Sequence, residues 1–188
     1  SGKTTTLKAT IAALKNEYKI GVMEADIDSD VDAKAISETG AKSIQLHTGG
    51  MCHLDAGMTK QGLESFDANE LDFVVLENVG NLVCPAEFDT GASKNAMILS
   101  VPEGDDKPLK YPLMFTVSDV VLINKIDTKS VFDFDDEAKS STRMPKYFLF
   151  LPKRARESTL GQIGSDAKLT HGINNARIGA CLSGCKSG

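Results

Sequence analysis

Short, nearly uninterrupted apolar runs recur along the chain, and most are separated by a segment with helical spacing. Runs rich in Val, Ile and Leu are typical of parallel strands that are covered on both faces. Their alternation with helices predicts βαβ units and an α/β fold, a mostly parallel doubly wound sheet flanked by helices. The strand candidates, in one-letter code, are KIGVMEAD, KSIQLHT, LDFVVLENVG, AMILSVPEG, DVVLINKID and NARIGACLS.

Helical spacing is clearest in residues 4–16, where Leu7, Ile11 and Leu14 fall three or four apart. Further helices are predicted at residues 31–40 and 52–66. We expect one domain over the whole chain, because no internal repeat is visible and the rhythm is continuous up to about residue 140.

Residues 144–171 do not follow this rhythm, since one apolar burst is followed by basic, polar and glycine-rich residues. We expect this segment to be irregular or an insertion. The net charge of −5 gives no support to general nucleic-acid binding. No apolar run approaches the roughly 20 residues that span a bilayer. Four cysteines in 188 residues do not form a disulfide scaffold, which favours reduced thiols and a cytoplasmic location.

The chain opens with SGKT, the second half of the phosphate-binding motif G-x-x-x-x-G-K-[ST]. The first half of the motif is absent, so the chain is expected to start inside it. Backbone N–H groups at the start of a helix attract phosphate. Gly2, Lys3, Thr4 and Thr5 are therefore predicted to bind phosphates, with Lys3 on the β- and γ-phosphate oxygens and the Thr4 hydroxyl on Mg²⁺. The alternative is an exposed turn.

Two strand candidates end in acidic residues, and ligands of doubly wound sheets bind at such carboxyl ends. Asp26 ends VMEAD, while Glu77 and Gly80 end LENVG. A carboxylate there can hold Mg²⁺ directly or through water, and the N–H of Gly80 would approach the γ-phosphate. Asp26 can equally be a helix cap, and the choice among the acids of EADIDSDVD stays open.

The motif N-K-I-D follows the most apolar run and is a guanine-reading signature. Asp127 would accept hydrogen bonds from guanine N1–H and the exocyclic amine. Adenine would leave Asp127 unpaired, at a cost of ~1–3 kcal/mol. Lys125 is predicted to lie over the base and Asn124 to brace the loop.

The tail LSGCKSG offers Ser183 and Lys186 for a second base-contacting loop. Each motif taken alone also occurs by chance in turns or helices. A half P-loop, an acid–glycine strand end and N-K-I-D nevertheless follow one another in order. Their conjunction predicts GTP binding.

Cysteine and histidine residues near these motifs suggest a transition-metal site, because thiolate and imidazole suit Zn²⁺ and Ni²⁺. Cys52 and His53 are adjacent, and Cys84 follows the predicted phosphate-sensing Gly80. The alternative is a buried, apolar Cys84 and a surface His53. Three ligands fall short of the four that Zn²⁺ prefers, so water or a second copy in a symmetric dimer would complete the set.

Four segments together resemble the HypB family of hydrogenase nickel-incorporation GTPases, which are P-loop proteins of the SIMIBI class. The four segments are TGGMCHLDAG, ENVGNLVCPAEFD, SVPEGDDKPLKYPLMF and LINKID. The resemblance covers residues 1–137. The related urease accessory GTPases have a cysteine-proline-histidine loop, which MCHLDAG does not fit. The resemblance implies a single GTPase domain that binds GTP and GDP, hydrolyses GTP and aids nickel delivery to [NiFe] hydrogenase. The implied partners are a hydrogenase accessory nickel chaperone and the hydrogenase large subunit.

By the same resemblance, Cys52, His53 and Cys84 form a Ni/Zn site at the interface of a homodimer that depends on GTP or metal. The matching phosphate and Mg²⁺ positions, predicted together with Gly80 to be catalytic, are Lys3, Thr4, Asp26 and Glu77. We expect GTP to reposition Cys84 through the tether 81–83. Three alternatives stay open: a metal-binding scaffold with an inactive nucleotide pocket, a nucleotide switch with structural cysteines, and an accessory GTPase for another nickel enzyme.

Overall fold

The structure, a computed structural model, describes residues 2–25, 36–65 and 68–135, and the backbone of 147–151 and 177–184. Within these ranges, seven strands form one sheet in the order β2-β1-β3-β7-β4-β5-β6. Every adjacent pair is parallel. The strands are β1 (Ile20–Glu24), β2 (Lys42–Gln45), β3 (Phe73–Glu77), β4 (Asn95–Ser100), β5 (Val120–Asn124), β6 (Tyr147–Leu151) and β7 (Arg177–Gly184).

Two longer helices and three short ones are described in these ranges. The longer pair confirms the helices predicted over residues 4–16 and 52–66. At residues 36–37 the described end of the predicted helix 31–40 is also helical. The helices are α1 (Lys3–Leu14), α2 (Ala56–Ser65), α3 (Cys84–Glu87), α4 (Lys107–Lys110) and α5 (Pro112–Val117). Among the described helices, none has the length and apolarity that a bilayer crossing requires.

Hydrophobic cores lie on both faces of the sheet. Leu7 and Ile11 of α1 pack with Val22 of β1, Ile98 of β4 and Leu122 of β5. The neighbouring strand residues point the other way, because side chains alternate between the faces of a strand. Met23 and Leu76 pack with side chains of α2, and Met97 and Ile123 pack with Met114 and Phe115 of α5. Helices on both faces confirm the predicted doubly wound α/β fold.

Strand β6 lies within residues 144–171, the segment expected to be irregular or an insertion, and shows that its first described part is regular. The apolar burst at residues 147–151 forms this strand, which pairs with β5 from Val120 to Asn124. The burst is five residues long and precedes a long polar stretch, so its periodicity is weak in the sequence. Residues 152–171 lie outside the described residues.

Strand β7 is the last strand in the chain but lies inside the sheet, between β3 and β4. Leu182 pairs with Glu77 of β3, and Ser183 pairs with Met97 of β4. Helix α1 also contacts this strand. The carboxyl end of β7 therefore reaches the edge of the sheet where α1 begins.

Candidate functional site

The site begins where α1 starts, at the edge formed by the carboxyl ends of the parallel strands. Gly2 has φ 84° and caps the helix in the left-handed conformation, which glycine adopts without a Cβ clash. Its carbonyl accepts hydrogen bonds from the backbone N–H and the hydroxyl of Thr6, at 3.0 and 2.9 Å. The half P-loop is thus the first turn of a helix, with its free N–H groups facing the strand ends.

Gly2 also lies against the N-K-I-D motif. A Cβ at Gly2 would lie 2.6 Å from Asn124 Nδ2, too close for any real contact. Asn124 is completely buried, and its Oδ1 accepts a hydrogen bond from the Lys125 N–H at 2.9 Å. Two motifs that are far apart in sequence therefore meet at one point, where a Cβ at residue 2 would force the Asn124 side chain to shift.

Lys3 and Thr4 both reach the carboxylate at the end of β3. The Thr4 hydroxyl donates to Glu77 Oε1 at 3.2 Å, and Lys3 Nζ lies 3.9 Å from the same oxygen. The Lys3 and Glu77 side chains are 11% and 10% exposed. Hydroxyl and carboxylate oxygens are the hard ligands that Mg²⁺ prefers, so the donor set fits this ion.

Glu24 is a carboxylate of this site that the sequence did not single out from its acidic neighbours. It ends β1 in register with Glu77 of β3, and both residues are buried. Partners on neighbouring strands lie about 4.8 Å apart, so Glu24 and Glu77 stand next to each other at the ends of their strands. Asp26, the acid that the sequence favoured, lies outside the described residues.

The N-K-I-D motif forms a tight turn directly after β5. Lys125 has φ 58° and is the single non-glycine residue with positive φ in the described part of the chain. Its carbonyl accepts hydrogen bonds from the N–H and the hydroxyl of Thr128, at 3.0 and 2.7 Å. Asp127 lies in the 3₁₀ turn Ile126–Thr128 and is exposed. The carboxylate is thus presented to solvent beside the buried Asn124.

Ser183 is placed differently from the prediction. It belongs to β7, one residue before the end of the strand. Strand β4 separates β7 from β5, so Ser183 and the turn after β5 are not on neighbouring strands. Its register next to Leu182, the partner of Glu77, brings the backbone of Ser183 closer to the predicted phosphate side than to the predicted base side. Lys186 lies outside the described residues.

The cysteine pair lies on the other side of Glu77, where the segment after β3 leads into α3. The thiols of Cys52 and Cys84 form a hydrogen bond that raises the pKa of Cys52, and the carboxylate of Glu87 acts in the same direction. Cys52 Sγ lies 4.0 Å from His53 Nδ1. Cys52 therefore contacts both other members of the predicted metal set.

The side chain of His53 is held by an aromatic neighbour that sequence reasoning missed. Its ring is stacked on Phe88, with the centroids 3.6 Å apart and the planes 10° from parallel. In the described ranges, no three His, Cys, Asp or Glu side chains converge as a complete metal-binding group. Among the described residues, Cys52 thus lies beside both His53 and Cys84, but the three do not form a complete ligand set.

The side chains of two asparagines were given no role in the interpretation of the sequence. Asn78 and Asn81 flank Gly80, and both form hydrogen bonds with the backbone of residues 52–54. The signal was present in the segment ENVGNLV, because asparagine side chains commonly bind nearby backbone groups in turns. Their contact with a distant loop was not visible in the sequence, since only the fold brings the two segments together.

The chain is similar in sequence to proteins of one nucleotide-binding family. A model of the CobW/HypB/UreG nucleotide-binding domain family matches residues 1–147. The chain is 48% identical over 138 residues to a hydrogenase maturation factor HypB of Azotobacter chroococcum, covering 73% of this chain and 45% of the relative. The corresponding Escherichia coli protein is 44% identical over 137 residues, with coverage of 73% and 47%. The chain spans about half the length of the curated relatives that it matches.

Two solved structures share the fold. A HypB from Helicobacter pylori in complex with nickel matches with a TM-score of 0.80 and 34% identity, over 92% of this chain and 86% of that one. The hydrogenase maturation factor HypB from Archaeoglobus fulgidus matches with a TM-score of 0.76 and 33% identity, over 88% and 84%.

Proposed function

Because the chain belongs to the CobW/HypB/UreG nucleotide-binding family, we propose that it is a GTP-binding and GTP-hydrolysing nickel metallochaperone in [NiFe] hydrogenase maturation. Its curated relatives are named hydrogenase maturation factors, and a structural neighbour was solved in complex with nickel. One observation of the structure carries the proposal. A single continuous segment contacts Lys3 and Thr4 through Glu77 and then contacts Cys52 through Cys84.

The nucleotide half of the site consists of residues 2–5, Glu77 and residues 124–127. It binds the phosphates of GTP at the start of α1. The N–H groups of the first helical turn and the Lys3 ammonium bind the phosphate oxygens. Thr4 and Glu77 would hold Mg²⁺, which neutralises charge on the phosphates when bound. Lys3 is held in place by Glu77 before the nucleotide arrives, so its side chain loses little freedom on binding.

Guanine is bound at the turn after β5. Asp127 is exposed there and accepts the two donors of guanine, while Asn124 fixes the start of the turn from inside the protein. The left-handed conformation of Lys125 directs the chain out of the strand and into that turn. This arrangement favours GTP and GDP over adenine nucleotides, because adenine lacks the donor pair.

The cysteine half of the site consists of Cys52, His53 and Cys84. These three residues bind nickel, which is the cargo of the protein. These three residues do not make a complete ligand set in the part of the chain that the structure describes, so we propose that a second copy or water completes it. Exposed apolar side chains surround the pair, with Met51, Val83 and Phe88 being 42%, 51% and 43% exposed. An apolar rim of this kind favours a homodimer that forms when GTP or metal is bound. A hydrogenase accessory chaperone and the hydrogenase large subunit are the proposed donor and acceptor of the metal.

The test is a titration of the protein with Ni²⁺ in the presence of GDP and, separately, of a non-hydrolysable GTP analogue. We expect the two dissociation constants to differ, because the segment that touches the phosphate site also carries Cys84. By linkage, nickel must then change the affinity for the analogue by the same factor. Equal nickel affinities in the two nucleotide states would overturn the coupling.

Two further measurements complete this test. The Cys84→Ala variant should lose nickel affinity while retaining GDP affinity, since Cys84 lies outside the phosphate contacts. Release of phosphate from GTP, measured with Mg²⁺ and compared with ATP under the same conditions, tests hydrolysis and base choice. Equal rates with ATP would contradict the role of Asp127.

A further inference from the structure

The two asparagines near Gly80 both form hydrogen bonds to the backbone of residues 52–54, here called the cysteine loop. Asn78 Oδ1 accepts a hydrogen bond from the Leu54 N–H at 3.0 Å, and Asn81 Nδ2 donates one to the Cys52 carbonyl at 2.7 Å. Gly80 lies between them in the sequence. The segment 78–81 and the segment 52–54 are thus joined on both sides of the residue predicted to sense the γ-phosphate.

Asn81 has a second set of contacts, to the start of α3. Its Oδ1 accepts hydrogen bonds from the N–H groups of Val83 and Cys84, at 2.8 and 3.0 Å. These groups belong to the free N–H groups at a helix start, which a side-chain oxygen commonly caps. One amide therefore binds the backbone of both cysteines, with its nitrogen on Cys52 and its oxygen on Cys84.

The orientation of the Asn81 amide is determined by its partners. A carbonyl can be bound only by the NH₂ end, and two N–H groups only by the oxygen end. The reverse orientation would place like groups against each other at all three contacts. The amide thus distinguishes the two cysteines chemically, and an aspartate of nearly identical shape would satisfy only the Cys84 side.

We propose that Asn81 is the positioning residue that holds Cys52 and Cys84 together as a metal-binding pair. Asn78 anchors the same loop through Leu54, and it is 1% exposed. A displacement at Gly80 must then move both cysteines together, because the two asparagines connect Gly80 to both of them. Without the Asn81 amide, Cys84 would still follow the segment after β3, but Cys52 would be connected to that segment only through Leu54 and Asn78.

This inference rests on the proposed function, because it assumes that the cysteine pair binds nickel. The experiment uses the full chain with Ni²⁺ alone as the probe, followed by the thiolate-to-nickel charge-transfer absorption and the dissociation constant. Asn81→Ser keeps an oxygen near the two N–H groups but cannot reach Cys52. Asn81→Asp keeps both acceptor contacts, loses the donor to Cys52 and places a negative charge against the Cys52 carbonyl, whereas Asn81→Ser loses the donor without adding charge. Asn16→Ser, an exposed turn position after α1, is the matched control.

We expect both Asn81 variants to weaken nickel binding about tenfold or more, as happens when a group that orients a metal ligand through a hydrogen bond is removed. Their affinity for GDP should stay within about twofold of the parent, which also reports that the fold is intact. The difference in nickel affinity between GDP and a GTP analogue should shrink in both variants, and Asn16→Ser should match the parent throughout.

The outcomes separate the two proposals. A parent protein that shows no thiolate–nickel absorption overturns the proposed metal function, and the role of Asn81 with it. A parent that shows the absorption, together with Asn81 variants of unchanged nickel affinity, overturns the role of Asn81 alone. Loss of nickel binding in both Asn81 variants with GDP affinity retained supports the connection to Cys52, because that contact is the one both variants lack.

Discussion

The nucleotide half and the cysteine half of the candidate site are built by opposite means on the same edge of the sheet. The nucleotide half uses strand ends and buried side chains, such as Asn124, which is completely buried, and Glu77. The cysteine half uses a loop and a four-residue helix, and Cys52 within it is exposed. Its loop is held by hydrogen bonds from Asn78 and Asn81 and by the stacking of His53 on Phe88.

The nucleotide half is therefore expected to be rigid and the cysteine half adjustable, although one segment joins them. Groups fixed by a packed sheet have one arrangement, while loops held by a few exposed hydrogen bonds open at low free-energy cost. A fixed phosphate site next to an adjustable thiol pair is the arrangement that a nucleotide-controlled metal site requires. Substitutions in the first half should therefore weaken GDP binding, and those in the second should weaken nickel binding to the nucleotide-free protein, while the GTP state couples the two halves.

The largest expected effect comes from Lys3→Ala. Loss of a charged hydrogen-bond donor of about 1.5–3 kcal/mol should weaken GDP binding by roughly 10- to 100-fold. Nickel affinity without nucleotide should be unchanged, because Lys3 does not contact the cysteine loop. Calorimetric titration with GDP and Ni²⁺ separately measures both. Lys8→Ala on the same helix is the control, and equal GDP affinity in the two variants would contradict the assignment.

Gly2→Ala sharpens the contrast by testing how tightly the nucleotide half is packed. An alanine at φ 84° is expected to cost about 1–2 kcal/mol of stability. Its Cβ would in addition displace Asn124, so GDP affinity should fall too. Gly40→Ala has φ 85° and no neighbour within 4 Å, and therefore isolates the backbone strain. Chemical denaturation and GDP titration of both variants give the comparison; identical behaviour would show that Asn124 yields at no cost.

Phe88→Leu tests the cysteine half and should have a smaller effect. An aromatic stack contributes about 0.5–1.5 kcal/mol, so a freer His53 ring should weaken nickel binding by up to roughly tenfold. GDP affinity should not change. Phe132→Leu, at another exposed phenylalanine, is the control. A loss of GDP affinity in Phe88→Leu would break the proposed separation of the two halves.

The smallest effect is expected from Asp106→Asn, which lies outside both halves. Lys110 and Lys107 lower the pKa of Asp106 below its ordinary value of 3.8, and Asp106 in turn raises the pKa of Lys110. Since the folded pKa is depressed, the stabilisation is present above pH 3.8 and is lost as the pH falls below it. The Asp106 side chain is about half exposed, so the change in Tm at pH 7 should be small and should vanish in acid or high salt. Thermal melts across pH 3–7 measure this, and a change in GDP or nickel affinity would contradict it.

Much of the fold was predictable because strands that are buried on both faces have continuous apolar sequences. Strands β1, β3, β4 and β5 are apolar on both faces, so each appears as a continuous run. Strand β6 was not recognised, because its five-residue run stands before a long polar stretch without a helical pattern to frame it. The short helices α3, α4 and α5 span four to six residues, too few to produce a readable period.

The sequence alone predicted the chemistry proposed for this protein: a phosphate-binding turn, a guanine-reading motif and thiols on the segment after an acidic strand end. These are local patterns, and local patterns survive in one dimension. The tertiary structure alone decided which groups meet, including Asn124 against Gly2, Glu24 beside Glu77 and Asn81 between the two cysteines. Such contacts depend on strand order and register, which arise from the packing of the whole sheet and not from any one segment.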